Sequence, residues 1–84
     1  MIIVGISAYF HDSAVAFLIN GEIKFAAHEE RYSRIKHDSS FPILAIKEGL
    51  ISLEIDINDI DYFVYFEKPI LKFERILDDY FETS

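Results

Sequence analysis

"AVAFLINGEIKFAAH", residues 14–28, reads as two strands joined by a tight turn. Ala14 to Ile19 is an unbroken apolar run, and from Glu22 to Glu29 the chain sets Ile23 and Phe25 against Glu22 and Lys24. Asn20-Gly21 lies between them. Both residues tolerate the positive φ that the central positions of a type I′ turn demand, which makes this dipeptide the strongest short-range hairpin signal. Upstream, Ile2, Ile3, Val4 and Ile6 form a β-branched run that breaks at Tyr9-Phe10-His11-Asp12-Ser13. Three antiparallel strands therefore open the chain, and their first connection carries a histidine, an aspartate and a serine side by side.

Beyond the hairpin, "EERYSRIKHDSS" (29–40) is dense in charge, lacks periodicity and reads as a strand exit followed by a loop. Ser39 or Ser40 then caps a helix with Pro42 in its first turn, where a missing N–H costs nothing. Ile43, Ile46, Leu50 and Leu53 recur at helical spacing and predict its buried stripe. Gly49 inside that helix costs up to ~1 kcal/mol relative to alanine, a cost that close packing against a neighbour explains. "DINDID" (56–61) is a connector, and "YFVYF" (62–66) is a continuous apolar strand of the kind buried on both faces of a parallel sheet. Pro69 opens a second helix with Ile70, Phe73, Leu77 and Tyr80 as its stripe. The order β-β-β-α-β-α runs without repeat or linker, so residues 1–84 make one domain at most.

A chain of 84 residues buries a thin core, only about 60 % of the surface its unfolded form exposes. Yet 51 % of its residues are hydrophobic and 15 % aromatic, so some apolar surface is expected to meet something outside this sequence. The net charge of −7 and the lack of a basic run argue against nucleic acid as a partner. No apolar stretch approaches the ~18 residues of a membrane span, and "MIIVGIS" reads as a strand without the charged leader of a signal peptide. With no cysteine, disulfides and thiolate metal sites are excluded. The expected setting is cytoplasmic.

Three antiparallel strands followed by a helix and a new strand also begin the ribonuclease H-like half of actin-type ATPases and sugar kinases. By that analogy the fold class is α/β with a mixed sheet, the start of an actin-like ATPase half-domain. The first connection would then lie at the mouth of a ligand cleft, facing a phosphate or acyl phosphate.

Gly5-Ile6-Ser7, His11-Asp12-Ser13-Ala14, Glu29-Glu30-Arg31, Lys36-His37-Asp38, Phe41-Pro42 and Lys68-Pro69 occur in that order and spacing. Together they resemble the opening of carbamoyltransferases of the nodulation, cephalosporin and aminoglycoside-antibiotic type, over nearly the whole chain. The resemblance implies transfer of a carbamoyl group from carbamoyl phosphate to a small-molecule hydroxyl. It implies ATP, a carbamoyl-adenylate intermediate and a metal ion in the complete enzyme. Such enzymes are several hundred residues long, so this chain alone is expected to be inactive and to need no cofactor of its own. Its partner would be the remainder of the enzyme or another chain.

The candidate catalytic residues are His11 and Asp12. An imidazole titrating near neutrality can take a proton from an attacking hydroxyl, and the resemblance places His11 beside the carbamoyl group as general base. Asp12 could orient it or receive the acceptor's hydroxyl; turn aspartates also bond their own backbone. The candidate substrate-binding residues are Ser13, Arg31, Lys36 and His37. Ser13 could donate to a phosphate or carbamoyl oxygen, or merely satisfy the start of the second strand. Arg31 offers a guanidinium fork to oxyanions, and Lys36 and His37 precede a helix N-terminus, which attracts anions. Glu29 or Glu30 paired with Arg31 or Arg34 is the structural alternative for that segment, and His28 reads as a partly buried structural histidine. No metal site is assigned: His11, Asp12, His28, Glu29, His37 and Asp38 are N/O donors, but none has helical His-x-x-x-His spacing, and the family's ligands are expected beyond Ser84.

Two other readings compete. A stand-alone binding or subunit-interaction module would use an exposed Tyr62–Phe66 edge, which invites homo-oligomers. A fragment of another actin-like kinase fits less well, because kinase loops at this position carry Gly, Ser and Thr where this chain has His11.

Overall fold

Asn20 and Gly21 take φ of 51° and 85°, as a type I′ turn requires, and close the hairpin read from the sequence. The computed structural model describes residues 1–8 and 12–66. Strands β1 (Ile2–Ser7), β2 (Ala14–Ile19), β3 (Glu22–His28) and β4 (Tyr62–Phe66) form one mixed sheet in the order β3-β2-β1-β4. β1 and β3 flank β2 antiparallel, and β4 adds to β1 in parallel. The chain is therefore a small α/β unit. The helix expected after Pro69 lies outside the described residues, as does His11.

Phe17 pairs with Phe25 but Leu18 with Ile23, so Lys24 is the extra residue of a β-bulge. The bulge breaks the alternation expected of β3: Phe25 packs edge-on against Phe17 at 5.8 Å, whereas Ile23 is exposed. Val4, Ile6, Val15, Phe17 and Ala27 supply the sheet's side of the core, and Ala45 and Ile46 of helix α2 (Ile43–Leu53) supply the other. Gly49 belongs to this contact. A methyl group there would overlap the Phe17 ring, so the glycine is explained by close approach.

Four expectations need correction. The 29–40 segment is not all loop, because Glu30–Ser33 forms a short helix, α1. Neither Ser39 nor Ser40 caps α2; its N-cap is Pro42, because the polar groups of Ser40 are engaged by Asp38 and Ser13. Ile43 is exposed, and the buried residues of α2 are Ala45, Ile46 and Gly49, with Leu50 and Leu53 packed beside them. The parallel pairing of β4 is as read, but its burial is not: Tyr62 and Tyr65 are 58 % and 60 % exposed. α2 packs mainly on β2 and β3, and β4 stands at the end of the described sheet.

Candidate functional site

Phe66, Ser7, Ala14 and His28 pair in one row across the four strands. At this end β1 and β4 finish, β2 begins and β3 exits. Ligands of open α/β sheets bind outside the carboxyl ends of parallel strands, and the segments that converge here carry most of the candidate residues.

Three buried polar residues bolt those segments together. The Glu29 N–H donates to the Ser13 carbonyl at 2.8 Å, and the Ser13 N–H donates to the Asp38 carbonyl at 2.7 Å. The Ser13 hydroxyl donates to the Ser40 carbonyl. Ser13 is thus fully buried and partnered within the protein, the structural alternative its position allowed. The Asp38 carboxylate accepts the Ser40 hydroxyl at 2.5 Å and the Ser40 N–H at 2.9 Å. Those two bonds, with a smaller contribution from the Ser33 hydroxyl, hold its carboxyl below the ordinary value.

Glu29 is the third bolt. Only 2 % exposed, it accepts the N–H of Ala45 at 2.8 Å and of Leu44 at 3.2 Å. These are orphan donors of the first turn of α2, so the cap arrives from the exit of β3, with its charge at the positive end of the helix dipole. Of the expected pairing of Glu29 or Glu30 with Arg31 or Arg34, the Glu29 half is overturned, because the turn out of β3 aims Glu29 inward at α2.

Each buried residue has a chain neighbour that reaches the surface: Asp12 beside Ser13, Glu30 beside Glu29, His37 beside Asp38. His37 Nδ1 lies 2.8 Å from Asp12 Oδ1, and the His37 N–H donates to Glu30 Oε1 at 2.7 Å. His37 makes both contacts from a left-handed backbone, φ 55°, a region where histidine is several-fold enriched among non-glycine residues. Asp12, His28, Glu30, Arg31 and His37 line a cavity of about 370 Å³. An adjoining one of about 630 Å³ is lined by Glu30, Arg31, Arg34 and Lys36. The described Lys and Arg residues are Lys24, Arg31, Arg34, Lys36 and Lys47, so most of the positive charge of this acidic chain's described part faces one place.

The structure thus brings Asp12, Arg31, Lys36 and His37 together. Glu30, Arg34 and His28, read from the sequence as structural residues, join them. His28, read as partly buried, is exposed on the cavity wall because it ends β3 on the site's row. Glu30 and Arg34 had a faint signal, the i, i+4 spacing of a helical pair, which mattered only once α1 was known to exist.

A small α/β domain presenting a basic, histidine-containing site at its strand ends is the class these features define. A family model described as carbamoyltransferase N-terminus matches residues 2–84, and the chain belongs to that family. It is 49 % identical over 78 residues to the protein named "uncharacterized protein sll1178" of Synechocystis sp., covering 93 % of this chain and 13 % of that protein. It is 32 % identical over 60 residues to nodulation protein NolNO of Sinorhizobium fredii, covering 71 % of this chain and 9 % of that protein. The chain therefore spans a small fraction of the length of the curated relatives it matches.

Proposed function

We propose that this chain is the N-terminal part of an ATP-dependent carbamoyltransferase that moves a carbamoyl group from carbamoyl phosphate to a small-molecule hydroxyl. The observation that carries this reading is the meeting of Asp12 and His37 with a cavity lined by Arg31, Arg34 and Lys36, at the carboxyl ends of two parallel strands. The same placement supports the finer fold reading, the opening of a ribonuclease H-like half of the actin type. Arg31, Arg34 and Lys36 hold phosphate oxygens by charge-assisted hydrogen bonds. Asp12 orients the base, and His11, its chain neighbour, takes the proton of the acceptor hydroxyl. ATP and the enzyme's metal are held by parts beyond Ser84. The chain by itself is inactive. No described helix is long and apolar enough to cross a membrane, and the proposed setting is cytoplasmic.

The test joins this chain to the remainder of its enzyme. His11→Asn is expected to abolish carbamoyl transfer while adenylate formation from carbamoyl phosphate and ATP persists. Transfer that survives the change overturns the general-base role.

A second reading, an interaction module, is supported by the exposed Tyr62, Phe63, Val64 and Tyr65 of β4. It predicts self-association of the isolated chain through that edge; a single monomeric mass at high concentration counts against it.

A further inference from the structure

We propose that Asp12, Glu30 and His37 form a divalent transition-metal site on this chain, distinct from the metal whose ligands the resemblance places beyond Ser84. One donor atom from each residue lies within 4.8 Å of the other two. Donors around a single ion at ~2.0–2.2 Å stand no more than about 4.4 Å apart, so side-chain adjustments of a few tenths of an ångström close the shell. Two carboxylate oxygens and one imidazole nitrogen suit manganese, iron(II) or zinc; calcium and magnesium prefer all-oxygen shells.

What separates this trio from a chance surface cluster is how it is held. The three donors come from three segments separated in sequence, and each is the immediate neighbour of a buried residue in one hydrogen-bonded scaffold, Ser13, Glu29 and Asp38. The scaffold's bonds run backbone to backbone and into α2, independent of the donors themselves. Much of the ordering entropy that an ion would otherwise have to offset is therefore met by folding. The protein also fixes the Glu30 carboxylate through the His37 N–H, a supporting contact of the kind that orients metal ligands.

The three protein ligands leave positions open toward the 370 Å³ cavity, where water or a substrate oxygen completes the shell. To coordinate, His37 must present Nδ1 as a lone pair, with the proton on Nε2, and exchange its contact with Asp12 Oδ1 for the ion. Among the described residues that line the same cavity, His28 is a second imidazole. Arg31 is there too. Its charge opposes a cation, so binding is expected to be moderate rather than tight. The proposal stands on the geometry of these side chains and does not rest on carbamoyl transfer.

The experiment uses the 84-residue chain, uniformly ¹⁵N-labelled and titrated with Mn²⁺, reading paramagnetic broadening of backbone amides, with Zn²⁺ titrated in parallel by calorimetry. The expected result is one ion per chain, with broadening centred on residues 12, 30 and 37 at substoichiometric Mn²⁺. Asp12→Asn, Glu30→Gln and His37→Gln should each weaken binding by roughly 100-fold, at or above the ~10–100-fold cost of losing a ligand's supporting partner. Asp59→Asn, in the acidic 56–61 segment, should leave it unchanged. Broadening centred on Asp56, Asp59 and Asp61, or an absence of localised broadening, overturns the proposal. So does unchanged affinity in the three ligand variants.

Discussion

The carboxylate of Glu29 accepts the backbone N–H of Ala45 at 2.8 Å, so the residue that ends the β-hairpin also starts the helix that covers it. The exit of β3, the N-terminus of α2 and the base of the site are therefore tied together.

Removing that tie should loosen all three. Glu29→Gln keeps one acceptor oxygen but turns an amide NH₂ toward α2 and removes the charge at the helix dipole. A loss of about 1–3 kcal/mol is expected, with Glu29→Ala at least as severe, measured by urea denaturation. Unchanged midpoints would show that the cap is dispensable.

Gly49→Ala would stabilise an ordinary helix by up to ~1 kcal/mol. Here the added methyl overlaps the Phe17 ring, and overpacking should reverse the sign to a net loss of roughly 1–3 kcal/mol. Pairing it with Phe17→Leu should recover part of the loss, because the two sites share one contact. Strictly additive effects would mean that the ring moves aside freely.

Acid stability should carry a signature of Asp38. Its carboxyl titrates below the ordinary 3.8, held there by the Ser40 hydroxyl, the Ser40 amide and Ser33. A depressed carboxylate contributes stability that is complete above the unfolded value and lost as pH falls through the folded one. The advantage of the wild type over Asp38→Asn is therefore expected in full above about pH 4 and to shrink below it. Ser40→Ala should raise the Asp38 value in a carboxyl ¹³C titration; no movement would remove Ser40 as the cause.

The basic cavity should bind oxyanions. With inorganic pyrophosphate as probe, Arg34→Gln and Lys36→Gln are each expected to weaken binding about tenfold, the worth of one charge-assisted hydrogen bond. Lys47→Gln on α2 serves as the control. Added salt should weaken the wild type as well, since the groups are exposed. Equal losses in all three variants would point to diffuse charge instead of a site.

The sequence by itself determined the elements whose causes are local. Asn20-Gly21 dictated the hairpin because two adjacent positive φ values are cheap only for such residues. Apolar runs dictated β1, β2 and β4, and spaced apolar residues dictated α2. The motif order from Gly5 to Pro69 was legible because spacing survives as text. Tertiary structure alone decided the rest. Whether Glu29 meets an arginine or a helix end depends on where α2 lands, and the bulge at Lys24 depends on register with β2. The side chains of Asp12, Glu30 and His37 converge because buried Ser13, Glu29 and Asp38 bond across segments up to 27 residues apart. Such contacts have no period and no fixed spacing, so the pattern of residues could name their donors but could not place them together.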